Sequence, residues 1–334
     1  MVSTDKVKGE VRWGILGAAH IASSSFLPGL REAGGGRAAL VASRDLDRAE
    51  SYAVAEGVDR AVKGYESVID SPEIDAVYVA LPNSYHARWT ERALKAGKAV
   101  LCEKPLCVSS AETEAMLETA ASTGSWLWES FVFPFQAQHN RLLELLASGA
   151  IGEVVELVSP FHFKLSRAVD IRLSGALRGG ALADVGCYPV RLAQEVLSTR
   201  DPSPGEVVGF STGNAEVDTE TVAIVNYGRQ RLLLGCSFTR AYDVFTRVLG
   251  TKGQIHLSNP FHPTPVDSIV LLGDGKETVE HPTVDARSFS AALRHIHAAL
   301  RGEEAPAHLA AESALRSART LESIVQACGI PHPG

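Results

Sequence analysis

The sequence predicts an α/β protein in which an N-terminal, doubly wound parallel sheet is followed by an α+β domain with a large, mainly antiparallel, open-faced sheet. Two observations support this fold class. Short β-rich runs alternate with helical stretches through the first 130 residues, which is typical of parallel βαβ units. After Gly149-Ala150-Ile151-Gly152, longer β-rich segments follow one another with only turn residues between them, which indicates antiparallel sheet. We therefore expect two domains, residues 1–130 and residues 131–334.

The strands of the first domain are expected where short apolar runs are bounded by turn residues. In chain order they are Val11–Leu16, Ala38–Ser43, a weak strand near Ala61, Ala76–Leu81, Ala99–Cys102 and Trp126–Phe131. Helices are expected between them, the clearest being His86–Ala96 and Ser110–Thr123. Gly97 and Gly124 directly follow these two helices, and glycine readily adopts the left-handed conformation of a helix C-terminus.

The second domain is expected to contain more strands than helices, because its β-rich runs are separated mostly by glycine turns. The expected strands are Val154–Lys164, Glu206–Gly213, Thr221–Tyr227, Arg231–Thr239, Phe245–Gly250, Gln254–His256 and Ser268–Leu272. The expected helices are Leu182–Leu197, Ser288–Leu300 and Ala307–Ala327.

Composition narrows the class of protein. The chain has 334 residues, 45% of them hydrophobic, and a net charge of −7 without long charged runs, so neither nucleic acid nor a membrane surface is an expected partner. Its five cysteines are an odd number without metal-ligand spacing, which indicates reduced thiols and a cytoplasmic protein. No apolar run is long enough for a signal peptide or a membrane span, and His139, His162 and His256 have no partner at metal-ligand spacing.

A glycine turn follows the first strand. Gly17 begins a degenerate version of the motif G-x-G-x-x-G/A, with Ala19 and Ala22 in place of the second and third glycines and with His20 and Ile21 between them. In a Rossmann fold this turn brings main-chain N–H groups to a dinucleotide pyrophosphate at a helix N-terminus. An ordinary strand-turn-helix is the alternative for so loose a motif.

The end of the second strand bears on which nicotinamide cofactor is used. Ser43 and Arg44 supply a donor and a positive charge, which suit the 2′-phosphate of NADP. NAD would instead require a carboxylate near the ribose. We favour NADP(H), and leave open that Arg44 is a solvated arginine and Asp45 contacts the ribose.

Polar residues also follow the fourth and fifth strands, at the sheet edge where ligands bind. After the fourth strand, Leu81, Asn83 and His86 are expected on the nicotinamide side of the cofactor, unless Asn83 only caps the next helix. After the fifth strand comes Glu103-Lys104-Pro105. Lys104 is expected beside the cofactor, and Glu103 is expected to contact the nicotinamide ribose or to brace Lys104.

These motifs together resemble the glucose-fructose oxidoreductase, inositol dehydrogenase and rhizopine catabolism (Gfo/Idh/MocA) family over essentially the whole chain. The resemblance rests on the Rossmann start, Leu81-Pro82-Asn83 with His86, Ala96-Gly97-Lys98, Glu103-Lys104-Pro105, Gly149-Ala150-Ile151-Gly152-Glu153 and the run from Gly179 to Tyr188. It implies an NAD(P)-dependent oxidoreductase acting on sugars, a Lys104–Pro105 bond that is cis, and oligomerisation through the large sheet. Tyr188 stands where many members have histidine, which resembles dihydrodiol dehydrogenases, NADP-dependent xylose dehydrogenases and C-3 ketoreductases of nucleotide-linked deoxysugars.

The chemistry of ketone reduction suggests roles for these residues. Asp184 and Tyr188 are four residues apart and are expected on one helix face, with Gly186 between them leaving room for a ligand. A phenol has a reference pKa of about 10, which a nearby ammonium lowers. We therefore expect Tyr188 to donate the proton, Lys104 to tune Tyr188 and hold the substrate oxygen, and Asp184 to orient a substrate hydroxyl or Lys104.

The remaining expectations concern the substrate and the partners. Arg172 lies in Leu165–Gly179, a segment without clear periodicity that suits either a substrate lid with cations for a diphosphate or a solvated loop. By resemblance, the leading substrate is the C-3 ketone of a dTDP-linked deoxyhexose, with a free aldose or a trans-dihydrodiol as the alternative. A non-catalytic NADPH-binding regulator is a third possibility. We expect no metal, and a homodimer or homotetramer.

Overall fold

The computed structural model describes residues 7–167, 170–197 and 204–331. Its elements up to residue 132 are β1 (Val11–Leu16), a π turn (Ala22–Phe26), α1 (Leu27–Ala33), β2 (Gly36–Ser43), α2 (Leu46–Glu56), β3 (Arg60–Lys63), α3 (Glu66–Ile69), β4 (Ala76–Val79), α4 (His86–Lys95), β5 (Ala99–Cys102), α5 (Ser110–Thr123) and β6 (Leu127–Glu129). The later elements are α6 (Ala137–Ala147), β7 (Val154–Lys164), a second π turn (Leu182–Gly186), α7 (Cys187–Val196), β8 (Val207–Gly213), β9 (Asp218–Tyr227), β10 (Gln230–Ser237), β11 (Thr239–Val244), β12 (Thr246–Gly250), β13 (Gly253–Leu257), β14 (Ile269–Gly273), β15 (Lys276–Glu280), α8 (Ser290–Arg301) and α9 (Glu312–Cys328).

The chain folds into two compact units. The first contains the residues up to Cys107, then Ala111–Val132 and Asp285–Ala311, and the second contains the rest. A single boundary between residues 130 and 131 leaves Asp285–Ala311 in the second unit, whereas the structure assigns this segment to the first. The reason is packing on α1: a Cβ atom at Gly29 would lie 2.6 Å from the Cβ of Phe289, and Ser290 Oγ donates to the Glu32 carboxylate at 2.8 Å.

The described part of the first unit has a six-stranded sheet in the order β3-β2-β1-β4-β5-β6, and the pairs between neighbouring strands are all parallel. The predicted doubly wound sheet is therefore confirmed, with β1 and β5 at the expected residues. The strand order reverses between β1 and β4, so the carboxyl ends of these two strands flank the crevice in which such sheets bind ligands.

The described part of the second unit has a nine-stranded sheet in the order β15-β14-β13-β12-β7-β10-β9-β8, with β11 pairing to β7. Its pairs are antiparallel except for β7 with β10, which confirms the mainly antiparallel sheet. Three elements were not predicted: α6, β11 and β15. Both missed strands are largely solvent-exposed and polar, so they lack the apolar alternation by which strands are recognised.

In a single copy of the chain, one face of this sheet exposes apolar side chains on β8 and β9. Phe210 on β8 is 81% exposed and lies opposite Val222 on β9, and Val208 lies opposite Ile224. We call these four residues the open apolar face. Ala223 and Val225, which alternate with Val222 and Ile224 along β9, are buried. Within the described ranges, no helix combines the length and apolarity needed to cross a membrane.

Candidate active site

The glycine turn after β1 has the geometry that the motif predicts. Gly17 has a φ of 105°, and a Cβ atom there would lie 2.7 Å from the Ala80 carbonyl oxygen, so only glycine fits. His20 and Ile21 are exposed beside the turn. Ala22 is fully buried, so its side chain does not face a cofactor, which corrects its prediction as a cofactor contact. The turn and the helix after it fit a dinucleotide pyrophosphate.

The end of β2 carries one cation more than we predicted. Asp45 is the N-cap of α2, where its side chain accepts a hydrogen bond from the Arg48 N–H at 3.2 Å. The Arg48 guanidinium in turn donates to the Ala18 carbonyl in the glycine turn at 2.9 Å. Arg44 is exposed, and Ser43 Oγ accepts from the Asp45 N–H at 3.3 Å. The spacing of Arg44 and Arg48, four residues apart across a helix start, is the signal by which Arg48 is recognisable in the sequence.

Arg44 and Arg48 both act on the phenol of Tyr65. Burial raises the pKa of the Tyr65 phenol, while Arg44 and Arg48 both act to lower it. Both positive charges therefore lie close enough to this phenol to influence its ionisation.

His86 does not offer its side chain to a ligand, which corrects the prediction made for it. The ring is fully buried, with Nδ1 2.9 Å from the Pro105 carbonyl oxygen and Nε2 2.8 Å from that of Leu81. It connects the segment after β4 to the segment after β5. Asn83 begins a single 3₁₀ turn, Asn83–Tyr85, that leads directly into α4.

The buried Glu103 carboxylate supports the Lys104 segment through hydrogen bonds. The Lys104–Pro105 bond is cis, as the resemblance implies. Glu103 is 9% exposed and accepts hydrogen bonds from Tyr78 Oη at 2.5 Å, Ser130 Oγ at 3.0 Å and the Lys104 N–H at 3.3 Å. Burial, with the charge of Glu103, raises the pKa of Tyr78 well above its ordinary value, so the phenol stays protonated and donates. Of the two roles expected for Glu103, these contacts match the bracing of Lys104.

In the second unit, Asp218 anchors the start of the helix that carries Asp184 and Tyr188. Asp218 is 3% exposed and accepts from the Leu182 N–H and from Thr221 Oγ1, both at 2.8 Å. Gly180 has a φ of 110°, and a Cβ atom there would lie 2.3 Å from Asp218 Oδ1. The glycine therefore permits the close approach between strand and helix.

Asp184 and Arg172 form an ion pair that the sequence did not predict. Arg172 Nε donates to Asp184 Oδ2 at 2.7 Å, and Arg172 Nη1 donates to Asp170 Oδ1 at 3.3 Å. Burial opposes the charge of Arg172, but the two carboxylates outweigh it and raise its pKa. Arg172 lies in a short 3₁₀ turn, Ile171–Leu173, whereas residues 168 and 169 of the expected lid segment lie outside the described residues.

Tyr188 is 7% exposed and is surrounded by rings. Its ring centroid lies 5.1 Å from that of Phe261, 5.3 Å from that of Phe161 and 5.5 Å from that of His262. Phe261 and His262 are candidates that the sequence did not reveal, because they lie far along the chain from Tyr188 in a loop with no motif of its own. Gly186 does not leave room for a ligand: a Cβ atom there would lie 3.1 Å from Cys236 Sγ, so the glycine serves packing against β10.

Comparison with known proteins assigns the chain to a family. Residues 11–131 match the family model for the oxidoreductase family with an NAD-binding Rossmann fold, and residues 139–256 match the Gfo/Idh/MocA C-terminal domain. A dTDP-3,4-didehydro-2,6-dideoxy-alpha-D-glucose 3-reductase from Streptomyces violaceoruber is 32% identical, over 95% of each chain. D-xylose 1-dehydrogenase (NADP(+)) 2 from Haloferax volcanii is 35% identical, over 80% of this chain and 82% of that one. A trans-1,2-dihydrobenzene-1,2-diol dehydrogenase from Macaca fascicularis is 32% identical, over 97% and 98%.

A solved structure with the same fold is KijD10, a 3-ketoreductase from Actinomadura kijaniata in complex with NADP and TDP-benzene. It is 28% identical, covers 96% of this chain and 98% of its own, and has a TM-score of 0.86. KijD10 has also been solved with a lysine replaced by alanine or glutamate, and with a tyrosine replaced by phenylalanine. That lysine and that tyrosine are separated by the same number of residues as Lys104 and Tyr188. The chain is therefore a member of the Gfo/Idh/MocA family of oxidoreductases, with an NAD-binding Rossmann fold in its first half.

Proposed function

We propose that this protein uses NADPH to reduce a keto group on a sugar, and that this group is the C-3 ketone of a dTDP-linked deoxyhexose. The observation that carries the proposal is Tyr188, a nearly buried phenol held among aromatic rings at the start of α7. Reduction of a ketone requires a hydride at carbon and a proton at oxygen, and a positioned phenol is a suitable proton donor.

The residues of the first unit fit NADPH. A turn that admits only glycine at position 17 precedes a helix and suits a pyrophosphate. Arg44 and Arg48 suit the 2′-phosphate, with Ser43 beside them, while Asp45 is engaged as a helix cap. When bound, NADPH supplies the hydride for the carbonyl carbon.

The proposed roles of the other residues follow from charge. Tyr188 donates its proton to the substrate oxygen. The Lys104 ammonium holds the same oxygen and favours the phenolate that remains. Arg172, aligned by Asp184, offers its guanidinium to a substrate hydroxyl or phosphate. The matching separation of a lysine and a tyrosine that were both replaced in KijD10 supports the first two roles.

The substrate class is supported by what the three relatives have in common. In a 3,4-didehydro sugar, in xylose oxidised at C-1 and in a 1,2-diol, the reacting carbon and its neighbour both carry oxygen. We propose that the substrate of this protein has the same vicinal pair of oxygen atoms. The second candidate function is NADP-dependent oxidation of a free aldose or a trans-dihydrodiol, which the xylose and dihydrodiol dehydrogenases favour and which uses the same residues in reverse.

The decisive experiment replaces the phenol. Tyr188→Phe keeps the ring packing but removes the proton donor, so we expect kcat to fall at least a hundredfold, within the range attributed to general acid catalysis of about 10² to 10⁴. NADPH oxidation is measured with a dTDP-3,4-diketo sugar, and NADP⁺ reduction with D-xylose and a trans-diol. NADPH affinity, measured by fluorescence titration, should not change.

A matched control is available in the same unit. Tyr227 is 3% exposed and hydrogen-bonds to Thr320 Oγ1 at 3.0 Å, so Tyr227→Phe also removes a buried phenol oxygen. We expect its turnover to stay near that of the unmodified protein. Near-normal turnover in Tyr188→Phe would reject the proposed function, and equal losses in both variants would point to general damage.

We also propose that the protein forms a homodimer or a homotetramer through the open apolar face. An exposed apolar patch on a wide sheet is typical of a protein–protein interface. The proposed partner is a second copy of the chain, in keeping with the predicted oligomerisation through this sheet.

A further inference from the structure

The loop between β13 and β14 is held in one shape by Asp267. Its carboxylate accepts hydrogen bonds from Ser258 Oγ at 2.7 Å and from the Thr264 N–H and Oγ1 at 2.8 and 2.7 Å. Burial opposes ionisation of Asp267, but these hydrogen bonds outweigh it and lower its pKa, so the group stays charged. The loop therefore has a fixed internal frame although it contains no helix or strand.

Within this frame the main chain of His262 is clamped by one side chain. Asn259 Nδ2 donates to the His262 carbonyl oxygen at 2.7 Å, and Asn259 Oδ1 accepts from the His262 N–H at 3.3 Å. Pro263 follows and restricts the backbone of His262 further. These contacts fix the main chain of His262 and thereby limit the directions that its side chain can take.

The His262 ring packs against the ring of Tyr188. The imidazole and phenol rings meet edge to face, with centroids 5.5 Å apart and planes at 69°. Phe161 and Phe261 form the rest of the wall and stack on each other at 5.8 Å. These two rings present only carbon, whereas His262 is half-buried and carries two ring nitrogens.

We propose that His262 is a specificity-determining residue that hydrogen-bonds the oxygen on the carbon next to the one that reacts. This inference rests on the proposed role of Tyr188. If the phenol meets the reacting oxygen, a hydrogen-bonding ring packed against it lies within reach of the next oxygen of a vicinal pair. A site built to hydrogen-bond a substrate oxygen discriminates strongly against an analogue that lacks it.

The test compares substrates with and without the neighbouring oxygen. The pairs are butane-2,3-dione and butan-2-one with NADPH, and trans-cyclohexane-1,2-diol and cyclohexanol with NADP⁺. The unmodified protein should favour the vicinal member by at least tenfold in kcat/KM. His262→Phe keeps the ring but lacks the nitrogens and should reduce that preference at least tenfold, whereas His262→Asn should retain most of it. Thermal unfolding and NADPH titration confirm that each variant is folded.

The control is His256→Phe, a histidine on β13 that packs against Phe245 and should leave the preference unchanged. An unchanged preference in His262→Phe would overturn the inference while leaving the proposed function intact if Tyr188→Phe is inactive. Full activity of Tyr188→Phe would reject the proposed function itself. Absence of any preference in the unmodified protein would also overturn the inference.

Discussion

Arg44 and Arg48 lie four residues apart at the start of α2, and each adds positive charge beside the glycine turn. Arg48 is tied to that turn by a hydrogen bond to the Ala18 carbonyl. A 2′-phosphate bound there would receive charge-assisted hydrogen bonds, which contribute about 1.5–3 kcal/mol each. NADH lacks that phosphate, so the pair should affect only one of the two cofactors.

Arg44→Ala and Arg48→Ala should therefore each raise the KM for NADPH about tenfold or more, while the KM for NADH changes little. Initial rates at varied cofactor concentration measure both constants. Arg37→Ala is the matched control, because Arg37 lies at the opposite end of β2 in an exposed pair with Asp59. Parallel increases for NADPH and NADH would contradict the assignment of the phosphate site.

Single residues show where prediction from the sequence succeeds. Gly17 was recognisable because one backbone conformation requires glycine. His86 was misjudged because a polar residue after a strand looks alike whether it faces a ligand or two main-chain carbonyls. Phe261 and His262 were missed because only tertiary packing brings them to Tyr188.

Among the elements, the start of the helix carrying Tyr188 depends most directly on one close contact. Gly180 combines a left-handed φ with a Cβ position 2.3 Å from Asp218 Oδ1. Gly180→Ala should push the helix start away from β9 and cost about 2 kcal/mol or more in free energy of unfolding. Because the same helix holds Asp184 and Tyr188, kcat should fall while NADPH affinity is retained.

Urea unfolding and steady-state kinetics test this together. Gly228→Ala is the control. Gly228 has a φ of 63° but no atom within 4 Å of its Cβ position, so alanine there causes backbone strain without a steric clash. We expect that control to lose about 1 kcal/mol with an unchanged kcat. A Gly180→Ala variant as stable and active as the control would mean that the helix start adapts.

Some predicted elements have the expected bounds and others do not: β4 ends at Val79 rather than Leu81, and α9 begins at Glu312 rather than Ala307. β1, β5, α5 and β7 coincide with the expected residues. The helix expected over Leu182–Leu197 begins instead as a π turn, a local change in hydrogen bonding that periodicity does not reveal. β11 and β15 were not predicted because they are polar and mostly exposed, so they show no alternation of apolar and polar residues.

On the scale of the whole molecule, the open apolar face should decide the oligomeric state. Phe210→Glu places a charge at the centre of that face and should shift the protein toward a monomer, as measured by light scattering after size-exclusion chromatography. Val266→Glu is the control, because Val266 is 84% exposed in a loop away from the face. An unmodified protein that is monomeric, or a Phe210→Glu variant with unchanged mass, would contradict the proposal.

A hydrogen bond between Trp13 on β1 and His297 on α8 should make the stability of the first unit depend on pH. Trp13 Nε1 donates to His297 Nε2 at 2.9 Å, so His297 is neutral there, and it donates from Nδ1 to the Gly34 carbonyl at 2.7 Å. Burial, despite the Gly34 hydrogen bond, lowers the pKa of His297 from 6.5 to about 4. The unfolded chain therefore takes up this proton first as the pH falls. The stabilisation is complete above 6.5 and declines toward pH 4.

The expected loss between those limits is about 3 kcal/mol in free energy of unfolding. Urea titrations at several pH values should show this slope in the unmodified protein and a shallower one in His297→Gln, which preserves a donor and an acceptor but does not titrate. His281→Gln, at an exposed position, should retain the full slope. Identical slopes in all three proteins would assign the acid sensitivity to other groups.

The first unit includes the late segment Asp285–Ala311, and this affects the order in which the two units can fold during synthesis. A ribosome releases residues in order, so the nucleotide-binding half cannot be completed until most of the polypeptide has emerged, and the intervening half has the chance to form before it. An expression fragment ending near residue 130 would leave Trp13 and the side of α1 that packs on Phe289 without their covering segment. Supplying residues 285–311 as a separate peptide should restore solubility to such a fragment.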